Sequence, residues 1–162
     1  MKTFYIKQRI FTITDRYFVY DQHQQPTYEV NGKFFTIGDE LTLTNLKGDE
    51  LFRIKQRIMS LFGAYDVYKK NKLCATIKRR ATLFRPKLDI ESDDGNFEIE
   101  GDFWDYNFSI LKDGHTIGTI EKEWLTLRDC YKLTVNDSEL ETLFISMVIA
   151  IDNCLHNEKK NT

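Results

Sequence analysis

Nine consecutive residues near the C-terminal end, Leu143-Phe144-Ile145-Ser146-Met147-Val148-Ile149-Ala150-Ile151, are apolar at every position except Ser146. Just upstream, Ser138-Glu139-Leu140-Glu141 has the S-x-x-E form of a capping box, which predicts a helix over about Glu139–Leu155 with Ser138 and Glu141 covering its first free amides. A helix on a protein surface carries one apolar stripe, whereas a helix apolar all round its circumference has to be enclosed. At 1.5 Å per residue it would run roughly 25 Å, the depth of a small domain. The apolar stretch is too short to span a bilayer. A membrane-associated or partner-binding helix is the alternative to a buried one.

The material that encloses it has to come from the rest of the chain, which alternates with period two, the pattern of half-buried strands. The clearest runs are Phe4–Ile13, Tyr17–Tyr20, Leu41–Leu43, Leu51–Arg57, Tyr65–Tyr68, Leu73–Arg79, Phe97–Gly101, Phe108–Leu111, Thr116–Glu123 and Tyr131–Val135. Asn31-Gly32, Asp94-Gly95 and Asp113-Gly114 read as tight hairpin turns, because those residues accept positive φ; Lys47-Gly48-Asp49 and Lys70-Asn71-Lys72 are weaker versions. The pentapeptide Ile6-Lys7-Gln8-Arg9-Ile10 recurs as Ile54-Lys55-Gln56-Arg57-Ile58, each copy leading into a hairpin-like stretch. The spacing is too irregular for a propeller or solenoid and fits repeated hairpins in one sheet. The expected fold is therefore mainly β with one α-helix: an antiparallel meander of roughly ten to twelve strands, closed into a barrel around the C-terminal helix, since closure also removes the sheet edges.

The 162 residues suffice for one such domain without disulfides or metals. Residues 1–157 are assigned to it and 158–162 to a short polar tail. Cys74, Cys130 and Cys154 are widely spaced and odd in number, which reads as reduced thiols rather than a disulfide framework or zinc site. The basic N-terminus lacks the apolar core of a signal peptide, so a cytoplasmic location is expected.

Little in the chain points to catalysis. His23 and His115 fall in turn regions and His156 near the end of the helix, none beside a recognisable nucleophile; there is no GxSxG, Walker loop, GxGxxG or HExxH motif. Asp93-Asp94-Gly95-Asn96 lacks the ligand pattern of a calcium loop and is explained by a hairpin turn. No cofactor or metal is expected. Trp104, in Gly101-Asp102-Phe103-Trp104-Asp105-Tyr106, reads as core or rim packing, with an exposed interfacial anchor as the alternative.

Charge is distributed unevenly. Residues 47–90 carry twelve Lys/Arg against four Asp/Glu, a net of +8, and residues 91–141 carry four against fourteen, a net of −10. Arg53, Lys55 and Arg57 alternate with apolar residues and share the outer face of one strand; Lys78 and Arg80 repeat the arrangement. Either basic and acidic strands lie side by side and their charges pair across the barrel, or the blocks lie apart and the basic face attracts phosphate groups or another polyanion. Nucleic acid is the less favoured polyanion, since the pI is about 5.9 and no nucleic-acid-binding motif is present.

Four segments together resemble the LURP-one-related family: YIKQRIFTITDRYFVYDQHQQPTYEVNGKFFTIGDELTL from Tyr5, LFRIKQRIMSLFGAYDVYKKNKLCATIKRR from Leu51, FEIEGDFWDYNFSILKDGHTIGTIEKEW from Phe97, and the apolar helix ending IAID at Asp152. The resemblance covers about Tyr5 to Asp152 and looks most like a bacterial member. It implies the barrel shared with the Tubby C-terminal domain and phospholipid scramblases, twelve strands threaded by a hydrophobic C-terminal helix. Tubby domains bind phosphoinositides through basic side chains, but their ligand residues do not map one by one onto this chain, and likeness of fold is weak ground for function. The leading expectation is a non-enzymatic binding module for an anionic lipid head group or phosphorylated ligand, met by Arg53, Lys55, Arg57, Lys78 and Arg80. The others are a scaffold that binds a protein partner, and an enzyme whose site assembles only on folding. Scrambling is not expected, as no second membrane-active segment is visible.

Overall fold

A computed structural model of the chain describes residues 1–7, 16–33, 38–60, 63–80, 87–102, 106–125 and 128–160, the side chains of 124–129 and 154–160 excepted. Twelve strands precede one helix: β1 (Lys2–Lys7), β2 (Arg16–Asp21), β3 (Pro26–Lys33), β4 (Glu40–Asn45), β5 (Glu50–Gln56), β6 (Ala64–Lys69), β7 (Lys72–Arg80), β8 (Lys87–Ser92), β9 (Gly95–Asp102), β10 (Asn107–Lys112), β11 (His115–Leu125), β12 (Arg128–Val135) and α1 (Glu141–Lys160). Every strand pairs antiparallel with its neighbours in sequence, and β12 returns to β1, with Phe4 opposite Leu133 and Ile6 opposite Tyr131. The sheet thus closes and leaves no edge strand.

The period-two pattern sets which face each side chain takes. Phe4 and Ile6, Leu41 and Leu43, Leu88 and Ile90, and Phe97 and Ile99 point inward and are buried, while the residues between them are turned outward. The lumen is filled by α1: every residue from Leu143 to Ile151 is buried. The Phe144 ring meets Phe97 edge to face at 5.2 Å between centroids. Ser146, the one polar residue of the stretch, donates to the Thr142 carbonyl at 3.0 Å and so brings no unsatisfied hydroxyl into the core.

The helix is fastened at both ends of the barrel. At its start the Glu141 carboxylate accepts from Lys2 at 2.6 Å and from the Tyr28 phenol at 2.7 Å. Towards its far end the Asn153 amide donates to Asp39 Oδ2 at 2.9 Å and to the Tyr65 hydroxyl at 3.2 Å. Both are side-chain links between a threaded element and its wall, so α1 is held axially as well as by packing.

Three expectations are corrected. The first helical bond runs from Phe144 N–H to the Leu140 carbonyl, so Leu140 caps the helix and the predicted Ser138/Glu141 box does not form: Glu141 is drawn instead to Lys2 and Tyr28. The helix runs to Lys160, five residues past the expected Leu155. Asn31-Gly32 is not a turn: both residues lie inside β3, opposite Thr42 and Leu41, because Val30 has to face the core beside Leu43. The turn signals Gly48, Gly95 and Asp113-Gly114 do take positive φ, as do Lys70 and Asn71. Trp104 and the part of the expected first strand beyond Lys7 lie outside the described residues.

Candidate functional site

Of the five basic residues singled out by the sequence, Arg53 and Lys55 lie on β5, Arg57 just past its end, and Lys78 and Arg80 on β7, with β6 between the two strands; all five hold carboxylates. Arg53 pairs with Glu50 at 2.7 Å, and Lys55 with Glu40 at 3.1 Å. On β7, Lys78 reaches Glu91 at 2.9 Å and Arg80 reaches Asp89 at 2.5 Å. Lys87 of β8 pairs with Glu100 of β9. The basic and acidic blocks are therefore interleaved: β7 lies against β8, and β8 against β9, with Lys78 opposite Asp89 and Lys87 opposite Glu100. Pairs this exposed contribute about 0–1 kcal/mol each and weaken as salt rises.

Arg57 differs from the other four in that the carboxylate holding it, Asp66, is buried; the two-point grip itself recurs at Arg80, whose Nε and Nη2 donate to the half-exposed Asp89 at 2.9 and 2.5 Å. Arg57 follows β5, where its N–H donates to the Ala64 carbonyl at 2.8 Å, and Ala64 in turn stands opposite Lys78. Its guanidinium Nε donates to Asp66 Oδ2 at 2.7 Å, while Nη2 lies 2.7 Å from Asp66 Oδ1 and 3.5 Å from Thr76 Oγ1. Thr76 Oγ1 also donates to Asp66 Oδ1 at 3.0 Å, and both Asp66 and Thr76 are buried. The two-point contact fixes the plane of the guanidinium. It leaves the Nη1 donors without a partner among the described residues. The hydrogen bond to Asp66 raises the pKa of Arg57 further above its ordinary value, so it is charged at any physiological pH.

Arg57 and Lys78 line one hollow of about 550 Å³, together with Ile58, Met59, Ser60 and Ala64. Both basic side chains are 44% exposed. Arg53, Lys55 and Arg80 are not among its lining residues. The rim of the hollow is braced against the barrel end. Ile58 Cγ1 lies against Gly38, at 3.1 Å from where a Cβ on that glycine would stand, and Asp39 exchanges bonds with Gln56, N–H to side-chain oxygen at 3.2 Å and Gln56 N–H to carbonyl at 2.9 Å. Asp39 is the same residue that receives Asn153 of α1, so the rim, the strand ends and the helix form one connected framework.

A second hollow, of about 270 Å³, opens where α1 enters the barrel and is lined by His23, Asp21, Lys2 and Glu141 among others. Its carboxylates are committed: Glu141 to Lys2 and Tyr28, and Asp21 to the backbone amides of His23 and Gln25 at 2.8 and 2.9 Å. The His23 ring meets Gln22, not an acid. Among the described residues no three His, Cys, Asp or Glu side chains gather as a metal site, and no helix is long and apolar enough to cross a membrane.

Sequence reasoning named Arg57 and Lys78 but missed Asp66 and Thr76, which orient the arginine, and Ile58 and Met59, which form the lip. The signal for the lip was present: two adjacent apolar residues where the alternation of β5 stops, shortly before Gly63. Asp66 and Thr76 gave none, because their partnership depends on the register of β5, β6 and β7.

Comparison with known proteins places these observations. The uncharacterized protein YxjI of Bacillus subtilis (strain 168) is 32% identical over 156 residues, covering 96% of this chain and 94% of its own length. The X-ray structure of an Arabidopsis thaliana protein superimposes with a TM-score of 0.65 over 96% of this chain and 91% of its own, at 12% identity, a likeness that shows the shared fold. The sequence model of the LURP-one-related family matches residues 2–152, from β1 into the fastened part of α1. The chain belongs to the LURP-one-related family.

Proposed function

We propose that the protein is a non-enzymatic binding module for a phosphate-bearing anion, either a lipid head group or a phosphorylated small molecule, taken at Arg57 and Lys78. The observation that carries this reading is the arginine held in a fixed plane by Asp66 and Thr76, its Nη1 donors unfilled, on the same hollow as a half-exposed lysine. A planar guanidinium whose outer Nη1 donors are free can still bond a phosphate oxygen, and a flexible ammonium beside it adds a second charge. Lys78 gives up only a solvent-exposed partner, Glu91, whose side chain is 61% exposed. That exchange costs little, because a pair so exposed is already close to break-even in water.

Titration calorimetry with inorganic pyrophosphate at low salt tests the proposal. Wild type and an Arg53→Gln/Lys55→Gln variant should bind alike. Lys78→Gln should bind more weakly, and Arg57→Gln/Lys78→Gln should not bind measurably. Equal binding by wild type and both Lys78 variants would remove the site.

A second reading has its own support. The interleaved ion pairs satisfy the basic face without any ligand. On this reading the protein is an interaction scaffold whose charges keep the barrel soluble and discourage wrong strand registers. A stoichiometric protein partner recovered by pull-down, with pyrophosphate silent, would favour it.

A further inference from the structure

The hollow that holds Arg57 and Lys78 has a lip unlike the rest of the barrel surface. Ile58 and Met59 are 63% and 98% exposed, the only sequence-adjacent pair among the exposed large apolar residues described. Met59 therefore stands almost wholly in water at the turn between β5 and β6, although methionine gains from burial. Ile58 rests against Gly38, so the lip is seated on the barrel end rather than folded over the hollow. Cations and apolar side chains thus face one opening within a stretch of three residues, Arg57-Ile58-Met59, with Lys78 across from them.

That combination fits a surface which is itself anionic at one depth and apolar just below. A free phosphorylated molecule would satisfy Arg57 and Lys78 but would leave Met59 in water. A protein partner could cover Met59 but gives no reason for the unfilled arginine donors beside it. We infer that this end of the barrel docks on an anionic phospholipid bilayer, with Arg57 and Lys78 on the head-group phosphates and the Ile58-Met59 lip entering the boundary between head groups and acyl chains. The inference rests on the anion-binding reading given above and selects the bilayer as the source of the phosphate.

Each part contributes differently. The head-group contacts are electrostatic, fall off within a Debye length and weaken with salt. Insertion of the lip removes apolar area from water and does not depend on salt. Docking should therefore retain a salt-resistant component that the lip supplies.

Co-sedimentation with vesicles of phosphatidylcholine alone, or of phosphatidylcholine with phosphatidylglycerol, tests this, alongside pyrophosphate binding by the same variants. Wild type should sediment with the anionic vesicles only. Met59→Ser replaces a side chain that touches little of the fold and should lower partitioning onto anionic vesicles by roughly tenfold while leaving pyrophosphate binding unchanged. Arg57→Gln/Lys78→Gln should lose both. Pyrophosphate binding by wild type with no sedimentation, or unchanged sedimentation of Met59→Ser, overturns the bilayer inference and leaves the anion site standing. Failure of wild type to bind either overturns both. Self-association abolished by Met59→Ser, without vesicle binding, would assign the lip to a second copy of the chain instead.

Discussion

Replacing Phe144 by alanine probes the packing of the threaded helix at its most enclosed aromatic. The ring is fully buried and meets Phe97 of β9 edge to face, at 5.2 Å and 89°. Removing a buried phenyl group generally costs about 3–5 kcal/mol, the lost transfer energy plus that of the cavity left behind. The upper part of that range applies here. A closed sheet of twelve paired strands cannot collapse inward without breaking a ladder, so the cavity persists. The edge-to-face contact adds part of its own about 0.5–1.5 kcal/mol. A loss of about 4 kcal/mol lies within the usual stability of a single domain, about 5–15 kcal/mol, so the variant should still fold. For a chain of this length it corresponds to a fall in Tm of roughly 8–16 °C. Urea and thermal unfolding followed by circular dichroism would measure it, and a double-mutant cycle with Phe97→Ala should return a coupling of about 0.5–1.5 kcal/mol. A loss under about 1 kcal/mol, the size expected of a surface site, would refute the threaded-helix packing.

Ile149→Asp places an unpaired carboxylate in the same lumen and should prevent soluble folding, checked by expression and size-exclusion chromatography; a folded monomer would place the helix outside the barrel. Gly101→Ala should destabilise by about 1–3 kcal/mol in urea unfolding, since a Cβ there would overlap the Asn107 carbonyl oxygen and stand 2.7 Å from Phe108 Cα across the β9–β10 pair. Burial alone would raise the Glu29 carboxyl, but hydrogen bonds from Asn31 and Arg16, with the Arg16 charge, outweigh it and hold its pKa below the ordinary value of 4.5. A depressed pKa contributes stability that is full above the unfolded value and is lost as pH falls through the folded one. Wild type should therefore exceed Glu29→Gln in stability at neutral pH, and the gap measured by urea unfolding should close below about pH 4.

The barrel was largely legible because its two periods were unambiguous. Leu143 to Ile151 admits no polar face, and strands such as Phe52-Arg53-Ile54-Lys55 alternate cleanly, so helix inside and sheet outside followed from patterning alone. Local chemistry misled where tertiary partners outbid it. Asn31-Gly32 has the composition of a turn, yet pairing with β2 and β4 keeps it extended. Ser138 and Glu141 have the spacing of a capping box, yet Lys2 and Tyr28, over a hundred residues away in sequence, claim the carboxylate. Strand β8 was missing from the clear runs, although Leu88 and Ile90 face the core.

The candidate site was legible only as a set of charges. Sequence alternation put Arg53, Lys55 and Arg57 on one outer face, and Lys78 and Arg80 on another. It could not show which of them share an opening, because that follows from Arg57 bonding Ala64 and Ala64 standing opposite Lys78. Nor could it show that Glu40, Asp89 and Glu91 would meet their basic partners across neighbouring strands.

The central claim is that Arg57 and Lys78, alone among the basic pairs, form an anion site. A proton–nitrogen correlation spectrum recorded during titration with pyrophosphate tests it most directly. Shifts that saturate and concentrate on the amides of Arg57 to Ser60, Ala64, Thr76 and Lys78 would match the account. Shifts centred on Lys2 and His23, spread evenly over Arg53, Lys55 and Arg80, or absent throughout would contradict it.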